Sequence, residues 1–272
     1  MERQGGGCAQ KVSEPVTLVA AAGRLVGWGA LDEMMLPEGH GVADSDLKRT
    51  LELFLRTIHD YLRTRLVSVV LHGSVAFDDL APGYGDLDFV AVTTTDLDDE
   101  TCRDLVELRK PLRSGKHGVL AQMLEGVFLP RKMLDPATVG KAFWWGTSGE
   151  RAWDKNELGW FVLHVIRERG ILVWGEDIRR EIPVATREDL LAEVRIACRH
   201  ANEHARAGDL HSVDWLLTVA RLLLWVREGR LSSKSEAADW GYGHARAEWP
   251  RLLPRAKELR LNPSMAESAE VK

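Results

Sequence analysis

The chain has 272 residues, 45% hydrophobic and 28% charged, which is the composition of a folded water-soluble protein and excludes disordered, collagen-like and fibrous classes. Forty-one acidic against 36 basic residues give a formal net charge of −5, a field that repels a nucleic-acid backbone and disfavours a nucleic-acid partner. Cys8, Cys102 and Cys198, an odd number at distant spacings, form neither a disulfide framework nor a zinc pattern and point to a reducing, cytoplasmic address, while no run of about 18 apolar residues is present to cross a membrane.

The first forty residues are rich in glycine and lack periodicity, so residues 1–40 are expected to form a loose arm. From Ser45 or Asp46, either able to cap a helix, Leu47, Leu51, Phe54, Leu55, Ile58 and Leu62 recur at helical spacing. The Val-rich run Leu66 to Leu71 reads as a buried strand, the stretch Phe77 to Gly85 as a turn-rich excursion, and Asp86 to Val92 as a second strand. Leu105 to Leu112 fits a helix, and Gly118 to Leu129 an apolar strand interrupted by Glu125.

Beyond about Lys141 the signal is helical. Leu158 to Glu168, Arg187 to Ala207, Val213 to Glu228 and His244 to Leu259 carry apolar residues at three-and-four spacing, with Leu216, Val219, Leu223 and Val226 read as a core stripe. The expected class is α+β: a small mixed sheet flanked by helices at 41–140, an all-α domain at 141–262, and a frayed tail at 263–272.

The chemistry concentrates in Leu71 to Val92, LHGSVAFDDLAPGYGDLDFVAV. Asp86 and Asp88 stand at i and i+2 of a strand, where both side chains share one face. Like charges that close raise each other's pKa unless a cation neutralises them, and hard oxygen ligands suit Mg²⁺, which also takes phosphate oxygens. Gly73 lets the backbone approach a phosphate, and the Ser74 hydroxyl can donate to the same oxygens. Glu125, acidic within an otherwise apolar strand, is costly to bury unless it serves a site.

Gly73-Ser74 followed by Asp86-Leu87-Asp88 resembles the signature of the nucleotidyltransferase superfamily typified by DNA polymerase beta. Arg221, the run LLLWVREGRLSSKSEAADWG ending at Gly241, and the earlier ILVWGEDI look like the aminoglycoside adenylyltransferases that modify streptomycin and spectinomycin. The two likenesses, in order, cover most of the chain from about residue 45 to 240.

The resemblance implies a nucleotidyltransferase domain followed by a helical domain, with the site between them. It implies that Asp86, Asp88 and Glu125 hold metal, two Mg²⁺ ions, and that Glu125 is the general base. Gly73, Ser74, Arg221 and Lys234 would bind the nucleotide, ATP. For the substrate, an aminoglycoside or aminocyclitol, Trp144, Trp145 or Trp153 would supply the tryptophan, with His211 and Asp214 facing the drug. The product would be an O-adenylylated antibiotic made by a monomer. Gly85 stands where the family usually has Ser, and the excursion after Ser74 is one residue longer. Two other readings compete. One is a nucleotidyltransferase-like protein that modifies or binds a protein or RNA partner. The other is a zinc site at His200, Glu203 and His204, an H-x-x-E-H on a polar, arginine-rich helix with no third acidic ligand downstream.

Overall fold

Helix α1, Asp44–Leu62, follows the apolar spacing of its sequence: Leu47, Leu51, Phe54, Leu55, Ile58 and Leu62 are all buried along one stripe. The structure, a computed structural model, describes residues 44–81, 83–204, 210–244, 246 and 248–267. The arm expected at 1–40 lies outside the described residues. So do residues 268–272 of the expected tail, whose start, Pro263–Glu267, forms a 3-10 turn.

Strands β1, Leu66–Leu71, and β2, Leu87–Thr93, pair antiparallel, and β2 pairs parallel with β3, Leu124–Pro130. A parallel pair requires a crossover, and α2, Asp99–Arg113, with the single turn α3, Val119–Gln122, supplies it. The strand expected from Gly118 therefore starts later. Gly118, at φ +90°, leads into α3, and extended pairing begins at Leu124.

Three strands fall where the sequence reads as helical: β4, Val139–Gly146, and β5, Gly149–Lys155, form a hairpin on β3, and β6, Ile171–Gly175, pairs with β1. The sheet order is β5-β4-β3-β2-β1-β6. The division expected at 140/141 thus cuts through the sheet, which runs to Gly175. Edge strand β5 buries only Trp153 and turns charge to water, so it shows little of the alternation that marks a strand.

One face of the sheet, including Leu71, Leu87, Phe89, Phe128 and Trp145, packs on α1 and α2. The other, including Val70, Val90, Val92, Val127 and Leu129, packs on Leu163 and Ile166 of α4, Trp160–Arg169. Phe161 and Val165 of α4 face away from the sheet. They join Leu190 and Val194 of α5, Arg187–His204, and Leu222 and Trp225 of α6, Leu210–Glu228. Apolar on both sides, α4 fixes the helical part to the sheet. A further cluster unites α6 with α7, Lys234–His244, and α8, Trp249–Leu261.

Of the stripe read in sequence on α6, Val219 is buried and Leu216 and Val226 pack against the two helical clusters, but the core extends beyond that stripe. Leu217, Ala220 and Leu224 face α7 and α8 and Leu222 and Trp225 face α4 and α5, whereas Leu223 is 37% exposed. With neighbours on two sides, α6 has no single apolar stripe to find. Chemical denaturation should therefore show Leu217→Ala destabilised by about 2–5 kcal/mol and Leu223→Ala by within about 0.5 kcal/mol. Equal losses would contradict this packing.

Candidate active site

The end of β1 and the beginnings of β2 and β3 meet the helical part in a cleft of about 590 Å³. The His72 amide donates to the Asp88 carbonyl at 3.0 Å, carrying the β1–β2 ladder into the site. Gly73 then turns with φ +65°, and a Cβ there would overlap Oδ2 of Asp88. The position requires glycine twice, for its dihedral and for the closeness of the carboxylate. The excursion that follows is tied down by Phe77 and Asp79 amides donating to the Ser74 carbonyl, and the Ser74 hydroxyl donates to the Asp86 carbonyl at 3.5 Å.

Asp88 and Glu125 are register partners across the parallel pair β2–β3, and both side chains lie on the face that Val90 and Val127 continue as core. Asp86 joins them at the rim of the strand. Burial, then the charges of Glu125 and Asp214, pushes Asp86 up to about 6. Burial, then Asp86 and Glu125, holds Asp88 well above the usual carboxylate range. The Thr147 amide, from the β4–β5 turn, donates to Glu125 Oε2 at 2.6 Å.

The opposite wall is cationic. Asp214 and Arg221, two turns apart on α6, share a helix face, and Lys234 opens α7. Lys234 Nζ lies 2.5 Å from Asp214 Oδ1. Burial alone would raise Asp214, but Lys234, Arg221 and Arg260 hold it below its ordinary value. Burial lowers the pKa of both Lys234 and Arg221, and Arg221 sits 5.6 Å over the Phe161 ring with its buried Nε finding no hydrogen-bond partner among the described residues. A buried, incompletely satisfied guanidinium beside a lysine fits an anionic ligand such as a triphosphate. Burial keeps His72 neutral, its pKa lowered to about 4.

Crowded carboxylates on one strand pair fit a hard divalent cation, whose charge would relieve their repulsion. Among the described residues no three His, Cys, Asp or Glu side chains form a gathered ligand set. Mg²⁺ keeps waters and takes phosphate oxygens, so Asp86, Asp88 and Glu125, the ligands expected from sequence, need not enclose it.

Of the residues read from sequence, Gly73, Ser74, Asp86, Asp88, Glu125, His211, Asp214, Arg221 and Lys234 all line this cleft. The tryptophans are a correction. Trp145 is fully buried against Phe54, Phe89 and Phe128, while Trp144 stacks on Trp153 at 5.1 Å on the opposite face, and none lines the cleft. Successive strand residues point to opposite faces, so the pair was bound to divide between two cores. His200, Glu203 and His204 lie exposed on α5, away from the cleft.

Sequence reasoning missed Asp79 and Arg260. Arg260, 2% exposed on α8, donates to the Asp79 carbonyl and, at 3.1 Å, to its Oδ1, while the Ser235 amide donates to Asp79 Oδ2 at 3.2 Å. This pair joins the excursion after β1 to α7 and α8 across the cleft. Asp79 stood in the turn-rich segment, but nothing in the sequence distinguished Arg260 from a surface arginine.

The comparisons agree with this architecture. Residues 183–272 match the family described as "Aminoglycoside adenylyltransferase, C-terminal domain". The chain is also similar in fold to the crystal structure of spectinomycin adenyltransferase AAD(9) from Enterococcus faecialis with ATP and spectinomycin. The TM-score is 0.64 and the identity 16%, over 78% of this chain and 89% of that one. No curated protein sequence matches the chain. No helix among the described residues is long and apolar enough to cross a membrane.

Two measurements test this geometry. The folded state holds the Asp86 proton more tightly than the unfolded chain, so between about pH 4 and 6 ionisation costs stability, which falls as pH rises. With chelator present, Asp86→Asn should match the parent near pH 4 and become the more stable protein as pH rises to 7; a pH-independent difference would contradict the raised pKa. Asp79→Ala, which strands Arg260, should cost about 3–5 kcal/mol in denaturant unfolding, and a loss below about 1 kcal/mol would show the pair to be incidental.

Proposed function

We propose that this protein transfers AMP from ATP to a hydroxyl of an aminoglycoside or aminocyclitol antibiotic, with streptomycin and spectinomycin as first candidates. The observation that carries the reading is the register pairing of Asp88 with Glu125, Asp86 beside them, directly across a cleft from Lys234 and Arg221. Carboxylates and cations on facing walls suit a metal-bearing triphosphate laid between them.

Asp86 and Asp88 would hold two Mg²⁺ ions, and Lys234 and Arg221 would take phosphate oxygens from the helical side. Bound there, Mg²⁺ supplies charge neutralisation for the attacking and leaving oxygens. Glu125 accepts the proton of the drug hydroxyl, whose oxygen forms a bond to the α-phosphorus as the bond from that phosphorus to the α–β bridging oxygen breaks and pyrophosphate departs. Five carboxylates, Asp79, Asp86, Asp88, Glu125 and Asp214, stand in the cleft lining against Arg221, Lys234 and Arg260, acceptors enough for the ammonium groups of a polycationic drug. The AAD(9) structure, solved with ATP and spectinomycin, supports this choice of ligands.

Incubation with ATP, Mg²⁺ and streptomycin, spectinomycin or hygromycin should give a drug heavier by one AMP in mass spectrometry. Glu125→Ala and Asp88→Asn should each lose on the order of a hundredfold or more in turnover while folding normally. Unchanged turnover in both variants would remove the mechanism, and AMP found on a protein or RNA instead of any drug would replace the substrate class.

A further inference from the structure

Beneath the acidic edge lies a guanidinium outside the cleft. Arg109, on α2, is 1% exposed and stands 5.6 Å over the Trp145 ring. Its Nη1 donates to the Gly146 carbonyl at 2.9 Å and to Glu150 Oε1 at 3.0 Å, and its Nη2 donates to the Leu124 carbonyl at 3.0 Å. Leu124 immediately precedes Glu125, and Gly146 immediately precedes Thr147, whose amide donates to Glu125 Oε2. One buried fork therefore grips the backbone at two points whose next residues are themselves hydrogen-bonded to each other.

We propose that Arg109, acting through the Gly146–Thr147 turn, is the positioning residue for the Glu125 carboxylate. The inference rests on the reading of Glu125 as proton acceptor given above. A glutamate side chain at a strand end has three rotatable bonds, and Thr147 is exposed at a hairpin turn, where Arg113 Nη2 also donates to its carbonyl at 3.3 Å. Tying both backbone segments to one planar guanidinium fixes the turn amide relative to the carboxylate. That amide fixes the orientation of the carboxylate, whose remaining lone pairs are free to take a proton. Arginine suits the task because its donors are held in a rigid fork, whereas a lysine ammonium is a single point charge that cannot hold the same two carbonyls in a plane. A buried ion pair is a poor source of stability compared with apolar filling, so the value of this one lies in geometry.

The test uses Arg109→Lys and Thr147→Pro in the full chain, each confirmed folded by circular dichroism at the assay temperature. Turnover with ATP and an accepted drug is read beside the calorimetric Kd for Mg-ATP. Both variants should lose about tenfold to a hundredfold in kcat, as a displaced reacting group does, while the Kd stays within about threefold. A merely structural role would instead lower stability and nucleotide affinity together and leave kcat of the folded fraction intact. Should Arg109→Lys not fold, Arg109→Gln, which keeps a planar side-chain donor, is read in its place beside Thr147→Pro. A kcat within twofold of the parent in a folded variant, or a Kd that weakens in step with kcat, overturns the assignment. A parent that adenylylates no drug in the panel sinks the functional reading, and this inference with it.

Discussion

Placing carboxylates side by side at the start of two parallel strands is energetically unfavourable, and the structure is arranged around that cost. Asp88 and Glu125 sit where Val90 and Val127 continue the same face, one residue pair away from a fully apolar core. Burial, then the charges of Asp86 and Glu125, favours the protonated form of Asp88. Such an edge is stable as a charged group only beside cations. The structure supplies Lys234, Arg221 and Arg260 across the cleft.

That requirement explains the division of labour in the fold. The sheet supplies rigid register: its β2–β3 pairing sets the spacing of the acids, and Gly73 is bent tightly enough to clear Asp88. The helical part supplies countercharge, and the two-faced helix α4 together with Asp79–Arg260 fixes one against the other. Asp214 occupies a middle position, a carboxylate on the cationic wall neutralised by Lys234. Because the two walls come from different parts of the chain, the distance between them is a tertiary property and sensitive to anything that loosens the latch.

The parts legible in sequence were those specified locally. The stripe of α1 needs only helical periodicity, and Asp86 and Asp88 announce themselves by i, i+2 spacing after a Gly-Ser turn. Glu125 was visible as a charge that interrupts apolar residues. The hairpin β4–β5 was not, because an edge strand facing water carries polar residues on most positions, and β6 is only five residues long. The tryptophans misled because aromatic content says nothing of which face of a strand will be covered. Arg260 reaches Asp79 across 181 positions of sequence and Arg109 reaches Gly146 across 37, contacts that exist only once the layers are packed.

The account depends on the acidic edge gripping a cation that carries a triphosphate, and calorimetric titration with a non-hydrolysable ATP analogue tests it most directly. The account predicts tight binding with Mg²⁺, weakening at least tenfold in chelator, and a Mg²⁺ dependence that disappears in Asp88→Asn. Affinity that is the same with and without the metal in the parent protein would contradict it.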